Sequence, residues 1–340
     1  MAIVETHELT KCYSVVDKAP GAANGWFDAL FRRRTKVITA LRNLSLTIDE
    51  GECVAYLGPN GAGKSTTIKL LCGVLAPTSG RAYVCGVAPV THRIAVAGQI
   101  GVVFGQRSQL LWDLPVQESY RYLAVIYDLP NRVYKSHLDE IVQLFDIGSL
   151  LSRPVRELSL GQRVRCEIAG VLLHRPRLLL LDEPTIGLDL MVKDRVRNAL
   201  LYWRGEYGTT ILLASHDLGD VEALSDRAIL LNDGALSYDG SLDGLKRLAS
   251  ATQSIEFTFD QGCDELKMGL DDPAIAVRRI GNRVFVSYDP LVHTAIHIIQ
   301  KVVTMGGVRD IHLREPSLED ALRRLYGHSG NSEQIRGLDL

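Results

Sequence analysis

Short apolar runs alternate with longer amphipathic stretches along the first two-thirds of the chain. CVAYL (53–57) and LLLL (178–181) are bounded by charge, Gly or Pro and read as buried strands. Strands are predicted over 3–13, over 37–57 as two strands parted by the turn Asp49-Glu50-Gly51, and over 177–182, 209–214, 227–231 and 235–238. Residues 81–105 also read as strand-like, with Pro89 inside. Apolar residues recur at helical spacing elsewhere. Ile68, Leu71 and Leu75 share a face of a helix over 63–73, and Val116, Tyr120, Leu123 and Tyr127 mark a helical region over 116–150. Val164, Ile168, Val171 and Leu172 follow a helix start at Ser159, and further helices are predicted over 190–205 and 218–225. Strands alternating with amphipathic helices predict an α/β core.

Composition shifts near 243–254, and a second pattern begins. It holds a strand over 254–259, a polar stretch with Pro273, two strands around the Gly281-Asn282 turn, a helix over 290–305, a strand over 308–313 and a helix over 317–325. On the first of these helices Leu291, Ala295, Ile298, Val302 and Met305 share a face. The chain is thus divided into a first domain, 1–242, a small α+β domain, 243–326, and a polar tail, 327–340, expected to be disordered.

Bulk composition narrows the function classes. The 340 residues carry 46% hydrophobic and 23% charged residues, as an ordinary globular chain does. Lys plus Arg number 38 against 40 acidic residues, so no cationic surplus is available to neutralise phosphates along a polymer, and no nucleic-acid partner is expected. The six cysteines (Cys12, Cys53, Cys72, Cys85, Cys166 and Cys263) form no CxxC pair, which fits a reduced, cytoplasmic chain. Glu5, His7 and Glu8 stand where a signal peptide would be apolar, and no run approaches the ~18 apolar residues of a membrane span, so any membrane role is expected to pass through a partner.

The sharpest motif is Gly58-Pro59-Asn60-Gly61-Ala62-Gly63-Lys64-Ser65-Thr66, which fits GxxxxGK[ST] between an apolar strand and a helix. Its glycines let backbone N–H groups surround phosphate oxygens, Lys64 can reach the outer phosphates, and the Ser65 hydroxyl can ligate Mg²⁺. Asp182 ends an apolar strand, where its carboxylate can meet the same Mg²⁺, and Glu183, one residue on, is a candidate base for an attacking water.

With these motifs goes Leu158-Ser159-Leu160-Gly161-Gln162. Together they make the chain resemble the ATPase subunit of an ATP-binding-cassette (ABC) transporter over residues 3–240. The family's signature helix normally begins Leu-Ser-Gly-Gly-Gln, and Leu160 replaces its first glycine. Ser159 and Gln162 also fit an S-x-x-Q capping box. The resemblance implies a P-loop NTPase cassette with a RecA-like core, an antiparallel β subdomain and a helical subdomain over about 107–172, followed by the small C-terminal α+β domain. It implies that Tyr13 stacks on adenine, and that Gln106, with Gln109 as a rival, senses Mg²⁺ and the attacking water. It implies that Gly187-Leu188-Asp189 crosses between subunits, that His216 contacts the γ-phosphate, and that Leu158–Gln162 meet the ATP of a partner subunit. ATP and Mg²⁺ are the expected ligands. A separate membrane permease and a second ATPase subunit, the same chain or a paralogue, are the expected partners, at the inner face of the cell membrane.

One cassette without a coiled coil favours transport over a soluble ATPase acting on ribosome or DNA. The ending EPSLEDALRRLYG (315–327) resembles that of ATPases serving drug, antibiotic and natural-product exporters of bacteria, and the stretch GVVFGQRSQLLWDLP and the insertion before the P-loop resemble a separate branch of that same group. The region 112–150 is expected to meet the permease. In the insertion 15–36, Trp26, Phe27, Leu30 and Phe31 adjoin Arg32, Arg33, Arg34 and Lys36, a set that could contact anionic lipid or a partner, or pack on its own cassette. His293 and His297 have a zinc-compatible spacing but no evident third ligand, so two exposed or packed histidines are expected.

Overall fold

A computed structural model describes residues 1–16, 35–105, 108–249, 253–260, 272, 274–290, 292–304, 306–314 and 318–327. The insertion tip (17–34), Gln106, Cys263 and the tail from 328 lie outside the described residues. The chain divides into two compact units, Met1–Gly240 and Ser241–Leu340.

In the first unit, β1 (Ala2–Val16) and β2 (Thr35–Asp49) pair antiparallel, and β3 (Cys53–Leu57) leads into α1 (Lys64–Leu71). Then come β4 (Ser79–Val84), α2 (Arg93–Ala97), β5 (Ile100–Phe104), α3 (Val116–Ile126), α4 (Asn131–Phe145) and α5 (Leu160–Leu172). The unit continues with β6 (Leu178–Asp182), α6 (Leu190–Tyr207), β7 (Thr210–Ala214), α7 (Leu218–Leu224), β8 (Arg227–Asn232) and β9 (Ala235–Ser241). A six-stranded sheet runs in the order β5-β6-β7-β3-β8-β9, and a three-stranded antiparallel sheet in the order β2-β1-β4. The pairs β5/β6, β6/β7, β7/β3 and β3/β8 are parallel, which is why their sequences are apolar throughout rather than alternating: both faces are covered.

Successive residues of a strand point to opposite faces. On β6, Leu179 and Leu181 therefore join one buried cluster with Tyr120, Phe145, Ile168 and Trp203. Leu178 and Leu180 join another, with Tyr56, Ile68, Leu71 and Leu44. The first cluster holds α3, α4 and α5 together. There Tyr120 Oη donates to the Cys166 carbonyl at 2.7 Å, and a side chain at Gly170 would meet the Tyr120 ring at 3.0 Å. Glycine is thus what lets α3 and α5 approach.

Two expectations need correction. The strand-like reading of 81–105 fails in its middle: β4 ends at Val84, a turn follows with positive φ at Cys85 and Gly86, and α2 precedes β5. The helical region 116–150 is also broken, because Asp128 takes a left-handed φ of 51° and Pro130 starts α4.

The second unit begins with α8 (Leu242–Ala249), a helix where the sequence suggested only a shift in composition. Strands β10 (Gln253–Phe259), β11 (Ile275–Ile280) and β12 (Arg283–Tyr288), helix α9 (Ala295–Val303), β13 (Val308–Arg314) and α10 (Leu318–Gly327) follow. The sheet order is β11-β12-β10-β13, all antiparallel. Ile298 and Val302 of α9 pack on Ile255, Phe257, Val284 and Val286. His293 stacks on His297 and its Nε2 bonds Asp272 Oδ2 at 2.8 Å. Among the described residues no cluster of three potential metal ligands occurs, and no helix is long and apolar enough to cross a membrane.

Candidate functional site

The loop from Gly58 to Gly63 joins the buried end of β3 to the start of α1. Its glycines are sterically required at two points. A Cβ at Gly58 would lie 2.6 Å from the Leu231 carbonyl, and one at Gly63, where φ is +105°, would lie 2.6 Å from both the Ala40 carbonyl and Leu41 Cδ2. Gly63 caps α1 without a side-chain bond, and the first turn holds no acidic residue, so the helix start presents N–H groups and a positive dipole end with no anionic side chain of its own against them.

That helix start opens on a cavity of about 410 Å³ lined by Ala40, Asn60 to Thr66, Asp182, Glu183, Ile186 and His216. A contiguous space of about 510 Å³ shares Ser65, Asp182, Glu183 and Ile186 and adds Lys69, Val74, Phe104 and Gly105. Lys64 is 8% exposed; its Nζ donates to the Gly58 carbonyl at 2.5 Å and the Pro59 carbonyl at 3.3 Å, and lies 3.4 Å from His216 Nε2. Burial lowers its pKa, while Glu183 and Asp182 pull it back up.

Glu183 follows the last residue of β6 and takes a left-handed φ of 54°, a strained position for a residue with a Cβ. Its N–H donates to the Ala214 carbonyl at 2.8 Å, which locks the turn to β7. Oε2 accepts the His216 N–H at 3.1 Å. Oε1 is buried with no hydrogen-bond partner, 3.4 Å from His216 Nε2. Burial raises the Glu183 pKa, against the pull of His216 and Lys64. His216 Nε2 also meets Asn60 Oδ1 at 2.9 Å, so the loop after β7 touches the loop after β3.

The donor set suits a nucleoside triphosphate with a hard cation. Uncapped helix N–H groups and Lys64 match phosphate; the Ser65 hydroxyl and Asp182 carboxylate, sharing both cavities, match an oxygen-liganded ion such as Mg²⁺.

Other expected residues form a separate group. Ser159 caps α5 in a complete box: the Gln162 N–H donates to Ser159 Oγ at 3.3 Å, and the Ser159 N–H to Gln162 Oε1 at 3.0 Å. Leu158 is buried beneath, and Leu160 is 41% exposed. A side chain at Gly187 would meet Leu160 Cδ2 at 3.2 Å, and one at Gly161 would meet Val192 Cγ2 at 3.2 Å. Leu188 is buried, and Asp189 caps α6 by accepting the Val192 N–H at 3.0 Å. Residues 158–162 and 187–189 therefore adjoin one another, and none of them lines the phosphate-side cavity. Tyr13 sits in β1 opposite Ile38, two residues along β2 from the cavity-lining Ala40, with Lys11 Nζ 5.3 Å from its ring centre. Gln106 is outside the described residues. Its rival Gln109 turns away, with its amide nitrogen donating to the Val102 carbonyl.

Sequence reasoning missed a brace behind the site. Asp220, fully buried on α7, accepts from Thr185 Oγ1 and from Arg197 Nε at 2.6 Å, and Asp217 takes Lys193 and Arg197. These bonds tie the turn after Glu183 and the one after His216 to α6. An Asp at each of two positions three apart, directly after His216, was the only local signal.

Comparison with known proteins agrees with this geometry. Residues 41–186 match the family model described as ABC transporter. Nod factor export ATP-binding protein I of Ralstonia nicotianae is 30% identical over 313 residues, 87% of this chain and 92% of that protein. Cobalt import ATP-binding protein CbiO of Rhodobacter capsulatus is 34% identical over 254 residues, 73% of this chain and 86% of that one. A solved dimeric ATP-binding cassette in a post-hydrolysis state, bound to ADP and Pi, is 26% identical, with a TM-score of 0.58 over 70% of this chain and 98% of that one.

Proposed function

This chain belongs to the ATP-binding subunits of ABC transporters, and on that premise we propose that it hydrolyses Mg·ATP between two such subunits to drive a separate membrane permease in export. The observation that carries the reading is the convergence of Lys64, Ser65, Asp182, Glu183 and His216 on one cavity at the N-terminus of α1. Residues Gly58 to Thr66 bind the phosphates, Lys64 leaves its carbonyl partners for phosphate oxygens, and Tyr13 carries the adenine. Ser65 and Asp182, with Gln106, hold Mg²⁺, which screens the phosphate charge. Glu183 takes a proton from the attacking water through its unpartnered Oε1, and its raised pKa improves it as a base. His216, fixed by its own N–H on Glu183, contacts the γ-phosphate.

The separation of 158–162 from the phosphate cavity supports a composite site, in which Ser159 and Gly161 meet ATP held by a partner and Gly187-Leu188-Asp189 passes between subunits. Residues 112–150 are the surface offered to the permease, at the cytoplasmic face of the membrane. Export is favoured because similarity to the Nod factor export protein runs over 313 residues and 87% of this chain, against 254 residues and 73% for the cobalt import protein. Glu183→Gln should keep ATP binding and lose turnover by roughly 10²–10⁴-fold; wild-type turnover would refute the assignment. Lys64→Ala should lose ATP binding, and retained affinity would contradict the phosphate-site reading.

A further inference from the structure

Glu167 lies on α5, two turns after the Ser159 cap, and is almost entirely buried. Both of its oxygens are used by one short segment of chain. Ser108 Oγ donates to Oε2 at 2.6 Å, and the Gln109 N–H donates to Oε1. The Leu110 N–H closes the turn on Ser108 Oγ at 3.1 Å. One turn back on α5, the Arg163 guanidinium lies over the Trp112 ring, 5.6 Å from its centre. The segment 108–112 is therefore fastened along the first half of the helix that Ser159 caps. Upstream, the Gly105 N–H donates to the Asp182 carbonyl at 2.8 Å, and a side chain at Gly105 would meet the Glu183 carbonyl at 2.5 Å. Gly105 is thus pinned to the turn that carries Asp182 and Glu183, and residues 108–112, three positions on in the chain, to α5.

We propose that Glu167 is a positioning residue for ATP hydrolysis: its carboxylate makes residues 108–110 move with α5, so that a displacement of the Ser159 end reaches the Gly105–Asp182 contact beside the phosphate cavity. The inference rests on the functional reading above. A buried carboxylate serves here because it accepts two donors at a fixed spacing, which no apolar side chain of that size can do. The bonds rather than the charge carry the effect. A glutamine at this position can accept the Gln109 N–H through its oxygen and donate to Ser108 Oγ through its nitrogen.

The test uses the full-length chain and the variants Glu167→Ala, Glu167→Gln, Ser108→Ala and the double variant Ser108→Ala/Glu167→Ala. Three quantities are read: the dissociation constant for ATP, kcat, and amide hydrogen exchange over 108–112. Glu167→Ala should leave the ATP dissociation constant unchanged, speed exchange at Gln109 and Leu110, and lower kcat by roughly tenfold or more, as misplacement remote from the chemistry does. Glu167→Gln should restore both kcat and protection, and the double variant should be no worse than Glu167→Ala. If Glu167→Ala does not fold, Ser108→Ala alone should show the same split between kcat and affinity at smaller size. Three outcomes overturn the proposal: faster exchange with wild-type kcat, Glu167→Gln as slow as Glu167→Ala, or affinity lost in step with kcat. A wild-type chain with no ATP turnover would instead overturn the functional reading itself, and this inference with it.

Discussion

His174 should make this fold acid-sensitive by a calculable amount. It stands after α5, its ring stacked on Tyr127 at 3.8 Å between centres and 5° between planes, with Nε2 donating to the Ile100 carbonyl at 3.0 Å. Its Nδ1 is buried with no hydrogen-bond partner, so a second proton has nowhere to be solvated. Burial accordingly pushes the His174 pKa down from 6.5 to about 4. Above pH 6.5 the ring is neutral in both folded and unfolded chains, and the native state keeps its full stability. Between 6.5 and 4 the unfolded chain binds the proton and the folded one does not, so stability falls as pH falls; below 4 the loss is complete. At about 1.4 kcal/mol per pH unit, the window costs roughly 3 kcal/mol. Urea unfolding of wild type and His174→Phe, followed by circular dichroism from pH 7.5 to 4, measures it. The phenylalanine keeps the stack but loses the bond to Ile100, which costs about 1–3 kcal/mol at pH 7.5. The wild-type advantage at pH 7.5 should then shrink through the window and reverse near its lower end. A difference between the two proteins that stays flat with pH, or that grows on acidification, would refute the reasoning.

Three further outcomes follow from the site. Because burial raises the Glu183 pKa and the proposed base is its carboxylate form, turnover should fall on acidification at a pH above the ordinary glutamate value of 4.5; a kcat–pH profile with no acid limb above 4.5 would count against that role. Asp220→Ala removes a fully buried carboxylate from Arg197 and should destabilise the first unit by about 3–5 kcal/mol, read as a lowered urea midpoint. Gly63→Ala puts a Cβ 2.6 Å from the Ala40 carbonyl at a φ of +105°, and should abolish ATP binding in an equilibrium binding assay even where the chain still folds.

What could be read from the chain depended on how far apart the cooperating residues stand. The loop 58–66 was legible because a strand, a glycine turn and a helix start are contiguous, and the Ser159/Gln162 box because a capping bond spans three residues. Helix α2 was not legible: Val96 is the only residue it buries, and Ile94 is 91% exposed, so no periodic apolar face marks it. Helix α8 escaped for a different reason. Leu242 and Leu245 are buried in a unit where α8 packs on α10, some seventy positions later, which no local window contains. The same distance hides the bonds of Glu167 to Ser108 and of Asp220 to Thr185, since a charged residue in an apolar helix face looks like a solvated one until its partners are known. Gln109 shows the opposite case: chemistry suited it to the site, and the backbone turned it toward Val102.

Alternate residues of β6 feed different cores, and this divides one domain into two packing compartments. Ala62 of the glycine loop belongs to the cluster on one side of the parallel sheet, and Leu158, beneath the helix start capped by Ser159, to the cluster on the other. The sheet acts as a party wall. A substitution among the apolar side chains of the helical side acts first on Tyr120, Phe145, Ile168 and Trp203, none of which lines the phosphate cavity. Packing beneath the Ser159 helix start can therefore be altered in a cluster that Ala62 of the glycine loop does not join.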